Sequence, residues 1–223
     1  MMSQKQAKQT ATPIPAATII IGRDRPGGFE VFMVVRHHEI DFAAGALVFP
    51  GGKISEADKH AEIRDYCDDA DNLDDKTLWT MIAAIRETFE ECGILLMRPQ
   101  GDPDIVSSDR LKTLNGYRKK LHSDEISLLE FLKQEKLTPA LDQLQLFAHW
   151  IAPEIAPKRF DTFFYLARAP EDHLAIHDGT ESVDSVWIKP ADVLMEHKEG
   201  KRSIMFPTRM NITKLSGSQT VEE

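Results

Sequence analysis

The apolar residues of this chain fall into short blocks with two different periods. Residues 17–21 and 29–36 are rich in β-branched side chains and are joined by Arg-Asp-Arg-Pro-Gly-Gly, so they predict a pair of strands around a turn. A third short run, 46–49, leads directly into Pro50-Gly51-Gly52. Between 77 and 92 the period changes: Leu78, Ile82, Ile85 and Phe89 are spaced by 4, 3 and 4, which predicts a helix whose glutamates lie away from its core face. Gly93 suits the position that ends such a helix. Residues 108–122 and 127–136 read as two further helices, with Pro139 as a breaker. Residues 144–151 and 159–167 read as strands joined by Pro-Glu-Ile-Ala-Pro-Lys, and 183–188 as another. Pro190 opens a helix at its first turn. This mixed order predicts one α/β or α+β domain with a helical insertion around residues 100–140 and no internal repeat.

Composition narrows the classes of function. A 223-residue chain with 42% hydrophobic and 28% charged residues can bury a sizeable core. Its net charge of −9 argues against nucleic acid or anionic membranes as partners, so an anionic small substrate needs local cations. Two cysteines, Cys67 and Cys92, support neither a disulfide framework nor a zinc site, and the cytoplasm is the expected compartment. Residues 1–15 are polar and broken by proline, the composition of a flexible leader without an apolar signal core. Residues 59–77 carry seven acidic against three basic residues and predict a solvated surface insertion without EF-hand spacing. At the other end, residues 216–223 form a tail in which Thr220 and Glu223 have the spacing of a capping box, as in a shortened helix or a frayed end.

The chemistry concentrates in Arg86-Glu87-Thr88-Phe89-Glu90-Glu91-Cys92-Gly93. On a helix Glu87, Glu90 and Glu91 share a face, and their crowding is unfavourable unless a positive charge sits among them. A solvated acidic face with Arg86 paired to Glu90 is the plain alternative. Upstream, Gly51 and Gly52 follow a short strand, where bare backbone can approach phosphate oxygens.

Together these stretches resemble the Nudix box, in which a glycine, five residues, a glutamate and seven residues precede R-E-U-x-E-E-x-G-U, U being a bulky apolar residue. Gly52 is followed after five residues by Asp58 in place of the glutamate, and Arg86 to Ile94 supply the second half with Thr88 in place of an apolar residue. Residues 59–85, 27 in number, stand where the pattern has seven. The long insert, the run G-x-x-x-F-P-G-G from Gly45 to Gly52, and Lys-Arg-Phe-Asp-Thr-Phe-Phe-Tyr-Leu-Ala resemble the Nudix coenzyme A diphosphatases, the mammalian peroxisomal enzyme and its bacterial relatives. The arginine of their coenzyme A signature is absent, because Asp41 stands in its place. The likeness spans about residues 17–215.

The resemblance implies a Nudix α/β/α sandwich with a mixed sheet over residues 16–215. It implies divalent-metal-dependent hydrolysis of a diphosphate, with Mg²⁺ or Mn²⁺ bound by Glu87, Glu90 and Glu91, Glu90 also activating water, and Arg86 orienting a glutamate. Coenzyme A or an acyl derivative is the leading substrate; ADP-ribose, a dinucleotide or a nucleotide sugar is the enzymatic alternative. A Nudix domain that binds a nucleotide without cleaving it is the rival from another class. Glu181, before a strand and with Asp184 behind it, is the candidate for a further base from a later loop. Gly51, Gly52, Arg36, Lys158 and Arg159 are candidate phosphate contacts, each with a surface or turn role as its alternative. Trp150 and Phe160 suit either adenine stacking or the core. His37 and His38, adjacent in a strand, face opposite sides and make a poor chelating pair. The expected partner is thus a small nucleoside diphosphate compound, with self-association into a homodimer left open.

Overall fold

The computed structural model describes residues 11–36, 45–173, 175 and 182–223. Strands β1 (Ile14–Arg25) and β2 (Gly28–Arg36) form the expected hairpin, paired from Gly22 opposite Val31 to Arg25 opposite Gly28. Beyond Gly22 the two arms diverge. The gap is filled by β3 (Leu47–Val48), which pairs with β2, and β4 (Gly51–Lys53), which pairs with β1. Pro50 marks the crossing, and its carbonyl accepts a hydrogen bond from Ile19 N at 3.0 Å. The Gly51-Gly52 pair expected in a loop therefore lies on a strand, with Gly51 opposite Thr18 and Gly52 opposite Ala17.

On the far side of β1 runs β8 (Phe160–Arg168), parallel to it from Ile14 opposite Phe160 to Gly22 opposite Arg168. The edge strand β7 (Gln145–Ile151) pairs antiparallel with β8. At the other edge β9 (Ser182–Ile188) pairs antiparallel with β2. Alternation along these strands feeds two cores. Ala17, Ile19, Ile21, Phe32, Val34 and Tyr165 face one side, packed with Ile82, Ile85 and Phe89 of α1 (Asp75–Cys92). Ile20, Val31, Met33 and Phe164 face the other, packed with Val193 of α5 (Pro190–Lys198) and Ile212 and Leu215 of α6 (Phe206–Leu215). The result is the α/β/α sandwich with a mixed sheet that the motifs imply.

The helical insertion leaves and re-enters through a two-stranded ladder, β5 (Met97–Pro99) against β6 (Leu137–Pro139), so Pro139 closes a strand as well as ending a helix. Three helices fill the excursion. The single helix expected over 108–122 is broken at Asn115-Gly116 into α2 (Ser108–Leu114) and α3 (Tyr117–His122), and the turn lets both Leu114 and Leu121 reach the core. Helix α4 (Leu128–Glu135) starts from a capping box of Ser127 and Glu130.

The acidic segment 59–77 is more than a surface loop. It folds into short 3-10 turns, buries Ile63 and Ala70 in the core, and is pinned by Arg64, which donates to the carbonyls of Ala70 and Leu73 and pairs with Asp75. Helix α6 carries no apolar period, since Thr208 and Asn211 share its buried side with Ile212 and Leu215, and the sequence reading assigns no element there. The tail forms no helix: Val221 N donates to Asp24 Oδ1 at 3.0 Å, and Glu223 accepts from Gln219 N. No helix among the described residues is long and apolar enough to cross a membrane.

Candidate active site

Helix α1 is fixed at both ends. Asp74 caps its start by accepting from Thr77 N at 3.0 Å, and Gly93, at φ 71°, closes its end by donating to Phe89 O. The apolar stripe holds one face against the sheet, so the last two turns deliver Arg86, Glu87, Glu90 and Glu91 to β4 and the turn at Asp58.

The two halves of the box meet here although 27 residues separate them in sequence. Arg86 donates to both oxygens of Asp58, Nε to Oδ1 at 2.7 Å and Nη2 to Oδ2 at 2.9 Å. It also reaches Lys53 O at 3.1 Å, Glu87 Oε1 at 3.0 Å and Glu90 Oε1 at 3.1 Å. Asp58 is 1% exposed and is oriented by Ser55 N, which donates to Oδ2 at 2.7 Å. A planar fork bound to a carboxylate in this way fixes the guanidinium in orientation as well as in position. Glu91 accepts from Gly51 N at 3.0 Å, which ties the helix to β4.

Both glycines are explained by close approach. Gly51 has φ 150°, and a Cβ there would overlap the Ala17 carbonyl and Thr18. At Gly52 a Cβ would overlap the Glu87 carboxylate.

The glutamates that sequence places off the core face are buried all the same, Glu90 and Glu91 each 5% exposed. Burial pushes the Glu87 carboxyl up to about 7, with Arg86 pulling down and Glu90 pushing up. Burial likewise raises Glu90 against the pull of Arg86. Burial also works against the Arg86 charge, but Asp58, Glu87 and Glu90 outweigh it and hold the guanidinium above its ordinary range. One cation shared among several carboxylates is strengthened itself and neutralises none of them fully.

That imbalance is the test of a metal. Among the described residues no three His, Cys, Asp or Glu side chains close around a common point, and Arg86 and Gly51 N occupy carboxylate oxygens. The donors themselves fit a hard divalent cation: Glu87, Glu90 and Glu91 are all oxygen ligands, carried on one rigid helix, with charge that Arg86 leaves uncompensated.

Beside this acidic end opens a cleft of about 940 Å³. Gly51, Gly52, Lys53 and Glu87 line it; Arg36 and Lys158 add cations, and Trp150, Phe160 and Phe206 add aromatic walls. Arg36 Nε is buried with no hydrogen-bond partner among the described residues. Trp150 donates to Asn211 Oδ1 at 3.1 Å and meets Phe206 edge-on at 5.8 Å.

Arg159 does not line this cleft. Its guanidinium donates to Ala152 O and Ala11 O, each at 2.9 Å, and braces the β7–β8 connection. The cation of the pair at the cleft is Lys158. Lys53 and Phe206 line it without having been anticipated; a lysine after two glycines and an aromatic at a helix start carry no distinctive sequence signal. Glu181, His37 and His38 lie outside the described residues.

Comparison with known proteins agrees with this geometry. The NUDT19 Nudix domain family matches residues 65–215, starting within the insert and running through the whole acidic helix. The acyl-coenzyme A diphosphatase NUDT19 of Xenopus laevis is 25% identical over 235 residues, covering 87% of this chain and 62% of that protein. Its Homo sapiens namesake is 25% identical over 204 residues, covering 74% of this chain and 54% of that protein. The chain thus spans little more than half the length of these curated relatives. A solved Nudix hydrolase from Alicyclobacillus acidocaldarius superposes with a TM-score of 0.75 at 25% identity, covering 96% of both chains. From the matched segment, the shared sandwich and the reunited halves of the box, this chain belongs to the NUDT19 Nudix domain family, within the Nudix hydrolases.

Proposed function

We propose that this protein hydrolyses the diphosphate linkage of coenzyme A or an acyl derivative, releasing 3′,5′-ADP and a 4′-phosphopantetheine product, with Mg²⁺ or Mn²⁺ bound by Glu87, Glu90 and Glu91. One observation carries the reading: Glu87, a member of the carboxylate cluster that Arg86 only partly compensates, lines a cleft that also presents Arg36, Lys53 and Lys158. Nudix hydrolases generally use divalent metals, and a divalent cation held here would shield the negative oxygens of the diphosphate as water attacks phosphorus. The rest of the work falls to the chain. Asp58 holds Arg86, Arg86 holds Glu87 and Glu90, and Gly51 N holds Glu91. Glu90 is the proposed proton acceptor for the attacking water, and Glu181 the proposed further base. Glu87, which lines the cleft, faces the substrate directly.

The names of the two curated relatives support the coenzyme A class, and the residues lining the cleft are compatible with it. Aromatic walls suit an adenine or an apolar acyl chain, and the cations suit phosphates. All three glutamates of the helix are present, which weighs against a domain that only binds.

The test is turnover of a panel of coenzyme A, a long-chain acyl-coenzyme A, ADP-ribose, a diadenosine polyphosphate and a nucleotide sugar, with products identified by mass. The highest kcat/KM is expected for coenzyme A or its acyl derivative. A preference for ADP-ribose or a dinucleotide would reassign the substrate, and no turnover at all would overturn hydrolysis.

A further inference from the structure

The helical insertion reaches the acidic end of α1. Glu90 lies in the last turn, where helix geometry leaves carbonyl oxygens without an intrahelical partner. Arg118 of α3 donates to the Glu90 carbonyl twice, from Nε at 3.2 Å and Nη2 at 3.1 Å. One helical turn later His122 Nδ1 lies 3.7 Å from Glu90 Oε2. Spaced by four residues, the two share one face of α3, so that face meets Glu90 at both its backbone and its carboxylate. Gly93 makes the approach feasible, since a Cβ there would lie 3.1 Å from Arg118 Nη1.

Helix α3 is itself held in place. The Tyr117 ring packs on Phe131 at 4.7 Å, and Phe131 stacks on Phe89 of α1 at 5.7 Å with an interplanar angle of 5°. Tyr117 Oη donates to Glu135 Oε1 at 2.6 Å, and Leu121 is buried in the same core. The distance between α3 and α1 is therefore set by packing on both sides.

We infer that Arg118 and His122 are positioning residues for Glu90, so that the insertion is a working part of the cation-binding end of α1. The inference rests on the metal-dependent function proposed above. Neither residue is among those that line the cleft, and both meet Glu90, so the effect expected of them is on metal affinity, with substrate affinity little changed.

The experiment follows Mn²⁺-induced thermal stabilisation without substrate, then steady-state kinetics with the best panel substrate at saturating Mn²⁺, for wild type, Arg118→Gln, Arg118→Lys and His122→Asn. The groups that orient ligands typically change metal affinity by about 10–100-fold when removed. Arg118→Gln should raise the half-saturating Mn²⁺ about tenfold, Arg118→Lys should recover part of that, and His122→Asn should give a smaller rise, with KM held within about twofold. Unchanged Mn²⁺ midpoints with only a lower Tm would overturn the inference and leave Arg118 a packing residue. If Arg118→Gln does not fold, unchanged midpoints in Arg118→Lys and His122→Asn have the same force. A wild type that does not respond to Mn²⁺ would overturn the metal reading itself, which separates the two failures.

Discussion

Gly51 and Gly52 are neighbours with separate constraints, and substitution should separate them. Gly51→Ala places a Cβ against backbone in a left-handed conformation, so it should lower stability by roughly 1–3 kcal/mol, read as a shifted denaturant midpoint. Gly52→Ala meets only the movable Glu87 carboxylate. It should keep a midpoint near wild type and lower kcat/KM about 10²-fold, the scale expected for a catalytic group displaced by about 1 Å. Glu87 gives a test by pH. Its folded-state value of about 7 lies above the ordinary 4.5, so between these the native protein holds more protons than the unfolded chain. Its contribution to stability therefore falls as pH rises through that window and stays low above it. In metal-free protein Glu87→Gln should raise stability relative to wild type at pH 8, by on the order of 3 kcal/mol at most, and the difference should vanish near pH 4. A destabilised Glu87→Gln at pH 8 would show that the ion pair with Arg86 outweighs burial.

At the scale of elements, helix α1 depends on what packs behind it. Phe131 joins α4 to Phe89 of α1 and to Tyr117 of α3. Phe131→Ala should cost about 3–5 kcal/mol in chemical denaturation, with Phe131→Leu milder. Helix α1 was legible in the sequence because Leu78, Ile82, Ile85 and Phe89 keep a strict period and Gly93 stops it. Helix α6 was not, because Thr208 and Asn211 take core positions; Asn211 is there to accept from Trp150. The acidic triad could be read because its members are local, whereas the partnership of Asp58 with Arg86 spans 28 positions and was visible only through the family pattern. Arg118 and His122 had no signal of either kind, since a cation on a short helix in an insertion reads as surface. Lys158 and Arg159 show a related limit: Lys158 lines the cleft while Arg159 donates to Ala152 O and Ala11 O, and composition does not say which of the two meets the cleft.

Across the whole molecule, the diverging β1–β2 hairpin makes the site. It admits β3 and β4, brings Gly51 and Gly52 under α1, and leaves the cleft between β4 and the β7–β8 end of the sheet. The two insertions then brace this centre from one side. Lys133 of α4 pairs with Glu62 of the acidic segment at 2.5 Å, and Ile63 shares the core with Phe131. Replacing residues 60–73 with a short turn should consequently lower stability, where a solvated loop would tolerate it, and differential scanning calorimetry distinguishes the two. The central claim, that the acidic end of α1 drives diphosphate hydrolysis, is tested most directly by the rate of coenzyme A or acyl-coenzyme A cleavage in wild type, Glu90→Gln and Glu91→Gln with Mn²⁺ present. The account predicts release of 3′,5′-ADP by wild type and a loss of about 10²-fold or more in each variant; variants that cleave at the wild-type rate would contradict it.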